Sequence, residues 1–77
     1  MSKGKRIHRK NIERSGWAQS ALDAFTAIVG ESGDGESDVG DLLADLMHLC
    51  DVQGISFEAA LDQGRTHYEW ELERPEE

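Results

Sequence analysis

Residues 38–50 read Asp38-Val39-Gly40-Asp41-Leu42-Leu43-Ala44-Asp45-Leu46-Met47-His48-Leu49-Cys50, and this run decides the fold. Val39, Leu42, Leu43, Leu46, Met47, Leu49 and Cys50 recur at steps of one to three residues and fall on one side of a helix. Asp38, Asp41, Asp45 and His48 are spaced at three, four and three and fall on the other side. In a strand the two classes would alternate every second residue, so the spacing predicts an amphipathic α-helix. Its Leu and Met side chains are expected to form the centre of the core. Ser37 or Asp38 can cap its start. Gly54 followed by Ile55 predicts a Schellman ending, with the glycine left-handed and the isoleucine folded back on the helix.

The same periodicity appears on both sides of this run. Upstream, Trp17, Ala18, Ala21, Leu22, Phe25, Ile28 and Val29 mark an apolar helical face. Ser15 is placed to cap that helix near Gly16, and Gly30 to close it. Residues 30–37 hold three glycines and no apolar side chain, which predicts a loop. Downstream, Ser56 caps a third helix, and Phe57, Ala60, Leu61, Gly64, Tyr68 and Leu72 lie on its apolar face. Gly64 in the middle of that face costs about 1 kcal/mol against alanine, which predicts another helix packed closely against it. Pro75 ends the helix. No segment alternates with a period of two, so the expected class is all-α, a small three-helix domain over residues 16–74. Residues 1–15 are expected to be a mostly disordered basic tail and residues 75–77 a disordered end.

The chain has 77 residues, enough for one domain. No apolar run is long enough to span a membrane, and the first residues lack the apolar core of a secretory signal. With a single cysteine no internal disulfide can form, so a cytoplasmic setting is expected. Cys50 sits on the apolar face and is expected to be a small buried hydrophobe. Three short helices make a thin core for Trp17, Trp70, Phe25, Phe57 and Tyr68. A homodimer is the expected way to cover what is left.

Charge is distributed unevenly. Residues 1–15 carry Lys3, Lys5, Arg6, Arg9, Lys10 and Arg14 against Glu13 alone, a net +5. Residues 16–77 carry Arg65 and Arg74 against fifteen acids, a net −13, and the whole chain is −8. Lys3, Lys5, Arg6, Arg9 and Lys10 are candidate contacts to nucleic acid, although no aromatic residue in the tail can stack on bases. The acidic body suits a protein partner with a basic surface. Trp70, Glu69, Glu73 and Asp62 are the candidate partner-binding residues on the third helix.

Asp38, Asp41, Asp45 and His48 are the candidate metal ligands. Asp45 and His48 have the i, i+3 carboxylate–histidine spacing of helical metal sites. Carboxylates so spaced also hold magnesium or manganese in nucleotide hydrolases. An ordinary wet helix face has the same pattern. The loop at 30–37 contains Glu31, Asp34 and Glu36, lacks a lysine and follows no strand, so it is not a phosphate cradle.

The stretch from Gly40 to Asp51, then Gly54 to Leu61, then His67-Tyr68-Glu69 resembles small acidic helical proteins of bacteria, phages and mobile elements, over about residues 16–73. That likeness implies a compact helical protein and no particular activity. Asp38-Val39-Gly40-Asp41 followed by Leu42-Leu43 is also similar to the second metal-binding helix of MazG-like all-α nucleotide pyrophosphohydrolases. Those enzymes carry a Glu-Glu-x-x-Glu cluster on an earlier helix, where this chain has Gln19, Ser20 and Asp23. Three functions are therefore expected, in this order. The first is a non-enzymatic interaction module without a cofactor, of the kind by which a mobile element occupies a basic host surface to counter a defence system. The second is a magnesium-dependent pyrophosphohydrolase-like protein, and the third a nucleic-acid accessory protein acting through the tail.

Overall fold

A computed structural model describes residues 7–30 and 33–74. Three helices follow one another along the chain: α1, Arg9–Val29; α2, Gly35–Gln53; and α3, Phe57–Glu73. Among the described residues there is no strand, and no helix is long and apolar enough to cross a membrane. The class is all-α, as the periodicity predicts.

The two glycine stops act as expected. Gly30 has φ 79° and Gly54 φ 71°, both left-handed. The Gly30 N–H donates to the Thr26 carbonyl at 2.9 Å, and the Ile55 N–H donates to the Cys50 carbonyl at 2.9 Å. That second bond is the six-to-one bond of a Schellman ending. Ser56 caps α3, its hydroxyl accepting from the Ala59 N–H at 3.1 Å.

Helix starts differ from the sequence expectation in two places. Helix α2 begins at Gly35, with Asp34 rather than Ser37 or Asp38 as its cap. The Asp34 carboxylate accepts from the Ser37 N–H at 2.7 Å, which satisfies one of the orphan donors of the first turn. Helix α1 begins at Arg9, well ahead of the predicted start near Gly16, so the second half of the expected tail is helical. Ser15 does not cap: its hydroxyl donates back to the Ile12 carbonyl at 2.7 Å, a bond made inside a continuing helix. Local pairs hold this first stretch, Lys10 Nζ with Glu13 at 3.3 Å and Arg14 Nη1 with the Asn11 side chain at 2.7 Å. Lys3, Lys5 and Arg6 lie outside the described residues, as do residues 75–77.

Helix α1 packs on α2, and α2 on α3. The end of α3 also meets the start of α1, where the Asn11 amide donates to the Glu71 carbonyl at 2.9 Å and Arg14 Nε lies 3.4 Å from the Glu71 carboxylate. The arrangement is open. Cys50 alone among the described residues is buried, and Leu22, Phe25, Leu42 and Phe57 are half-buried. The expectation that Leu43, Leu46 and Met47 fill the core is therefore corrected, because all three are exposed. Neither neighbouring helix lies deep enough on α2 to cover a face as broad as the one it carries. Gly64 is a second correction: among the described residues a Cβ placed there meets nothing within 4 Å, so none of the three helices packs closely on it.

Candidate functional site

Helix α3 separates its acids between two sides. Asp62, Glu69 and Glu73 stand at i, i+7 and i+11, which places them along one side of the helix. All three are exposed, and none enters an ion pair among the described residues. Between them Thr66 turns its hydroxyl back to the Asp62 carbonyl at 3.0 Å, and the exposed Arg65 stands beside the strip, three residues after Asp62 and four before Glu69. Trp70 borders the strip with 57% of its surface exposed, and the Arg74 guanidinium lies 5.1 Å from its ring centroid. The predicted partner-binding set thus occupies one continuous surface with an aromatic edge. Glu71 lies elsewhere on the helix and faces α1.

Carboxylates placed in this way stay hydrated. They lose little solvation in the free protein and act at range on an approaching cation. An aromatic ring at the border supplies the apolar area that such a contact needs in order to persist.

The α2 stripe is not assembled in the same sense. Asp38 is half-buried and turned to the loop, where it accepts from the Gly33 N–H at 2.8 Å. Asp41, Asp45 and His48 are exposed along the helix. Among the described residues no three His, Cys, Asp or Glu side chains come together in a way that can hold a metal ion. Asp23, the acid of α1 nearest in kind to the second half of a metal cage, is bonded to Gln19 at 2.9 Å.

Of the basic set, Arg9 is exposed in the first turn of α1, and Lys10 lies over the Trp17 ring at 5.4 Å as well as beside Glu13. At the start of α2 the Asp34 carboxyl is held below the usual carboxylate range. The Ser37 backbone N–H bonded to it is the main cause, with the Ser37 hydroxyl second.

Sequence reasoning missed the junction of α1 and α3. At the end of α3 the Trp70 carbonyl accepts from the Arg74 N–H at 2.7 Å, and the carbonyls of residues 71–73 lack partners within the helix. Asn11 supplies one for Glu71, and Arg14 neutralises the Glu71 carboxylate beside it. Helix α1 opens with basic residues and α3 closes with acidic ones, each opposing its own helix dipole. Meeting end to end, they relieve each other. Next to this junction Ile7, Ser15, Tyr68 and Leu72 help line an open groove of about 390 Å³. The signal available in the sequence was the Asn11–Arg14 spacing of three, masked by the assignment of both residues to a tail.

The geometry defines a small all-α protein with an acidic, aromatic-edged surface on α3. No family model, curated protein or solved structure matches the chain.

Proposed function

We propose that this protein is a non-enzymatic interaction module that docks onto a basic protein surface through the outer side of α3. The observation that carries this reading is the strip of Asp62, Glu69 and Glu73, exposed and without ion-pair partners among the described residues, with Trp70 at its edge. Lysines and arginines on the partner would meet the carboxylates while Trp70 packs against an apolar neighbour. Such charge attraction acts mainly on the rate of encounter, and the packed aromatic acts mainly on the lifetime.

A residue-resolved titration tests it. The isotope-labelled protein is titrated with an arginine-rich peptide and amide shifts are followed. The expected result is a response concentrated at residues 62–74, with the Trp70 indole among the largest. A response spread evenly over the acids of α2 and α3 would mean a merely solvated acidic surface and would overturn the reading.

A further inference from the structure

The outer side of α1 is a different surface, and its chemistry is unlike that of the rest of the chain. From Ser15 to Val29 the only ionisable side chain is Asp23, in a protein with 31% charged residues. Trp17, Ala21, Ala24 and Ile28 follow one another at steps of four, three and four, the spacing of a coiled-coil seam. No helix of this chain covers them: Trp17 is 62% exposed, Ile28 is 82% exposed, and Ala21 and Ala24 are exposed between them.

We infer that this seam pairs with the same seam of a second copy, antiparallel, in a two-fold homodimer. Three observations point to that occupant and that direction. The spacing reads the same from either end, so an antiparallel copy sets Trp17 against Ile28 of the partner subunit and Ala21 against Ala24 of the partner subunit. A large residue then meets a large one at both ends, and alanine meets alanine in the middle, where helices can approach to about 8 Å. The second observation is charge. A chain of net −8 repels its own copy, and this is the stretch of helix on which that repulsion is weakest. The third is complementarity at the ends. Arg9 and Lys10 lie about 20 Å along the helix from the two-fold axis, past the end of the partner's α1 at about 10 Å. In sequence the acidic start of α2, with Asp34, Glu36 and Asp38, begins five residues beyond that end. A parallel pair would instead set basic end on basic end. The inference is independent of the α3 reading, because the two surfaces share no residue.

Sedimentation equilibrium of the full chain, together with cross-linking, tests it. The wild type is expected to dimerise at micromolar concentration, and Ala24→Glu to weaken the dimer by roughly tenfold or more, since it buries a charge in the seam. Far-UV circular dichroism should show helix content retained, because glutamate is a good helix former at an exposed site. With Cys50→Ser as background, a mixture of Ala21→Cys and Ala24→Cys chains should form a mixed disulfide under mild oxidation, and neither variant alone should do so efficiently. A wild type that stays monomeric at 100 micromolar overturns the inference. So does a dimer that survives Ala24→Glu, and so does one that cross-links Ala21→Cys to itself, which would mean parallel pairing.

Discussion

Asn11 shows how much one side chain settles in so small a molecule. Its amide reaches the Glu71 carbonyl at 2.9 Å and its oxygen holds Arg14 at 2.7 Å, so a single residue joins the first helix to the last. Asn11→Ala removes both bonds and leaves the carbonyl to water. It should cost about 1 kcal/mol, which lowers the melting temperature of a domain this size by about 4–8 °C. An unchanged thermal melt would mean that the start of α1 does not dock on α3. Asp34 makes a second prediction at this scale. Its carboxyl lies below the ordinary value because the Ser37 N–H bonds to the charged form. A carboxyl depressed on folding contributes stability that is fully present above its unfolded value, near 3.9, and is lost as pH falls through its lower folded value. The Ser37 amide signal should therefore hold constant down to about pH 4 and move only below it. Titration of that amide above pH 4 would contradict the cap.

At the scale of the element, the three helices and both glycine stops are legible, because a period of 3.6 and a left-handed glycine are local properties. The start of α1 is not. Arg9 and Lys10 sit badly at a helix N-terminus, and what holds them there is a contact to Glu71, sixty residues away from Asn11 in sequence. The phase of the core is not legible either. Leu43, Leu46 and Met47 lie on the apolar side of α2, but how far that side is covered depends on where α1 and α3 settle, which periodicity does not record. For the candidate site, the side of α3 bearing Asp62, Glu69 and Glu73 could be read from spacing, whereas the engagement of Asp38 with Gly33 could not. Gly64 separates the two levels. Sequence alone implies a close neighbour there, so that alanine would clash, whereas the structure leaves the space open. Gly64→Ala should therefore stabilise α3 by about 1 kcal/mol, read as a higher denaturant midpoint at unchanged slope. A lower midpoint would reveal a neighbour packed on Gly64.

The whole molecule spreads its side chains outward. With Cys50 the one buried residue among those described, little of its apolar surface is spent on an interior, and Trp17, Ile28 and Trp70 are left for contacts beyond the chain. Its net charge of −8 favours cationic partners and keeps copies apart except where charge is sparse. The central claim is that the acids of α3 act as a placed docking surface rather than as part of a diffuse negative charge. A charge-matched comparison of association rates tests this most directly. One variant neutralises Asp62, Glu69 and Glu73 to their amides, and the other neutralises Asp41, Asp45 and Asp51, so that each loses the same charge. Stopped-flow binding of an arginine-rich peptide is measured for both and for the wild type, at physiological salt, where screening beyond roughly 8 Å leaves mainly the charges near the contact to act. The account predicts a markedly slower association for the α3 variant, and a rate near the wild type for the α2 variant. Equal slowing of the two would show that only the total charge matters, and would contradict it.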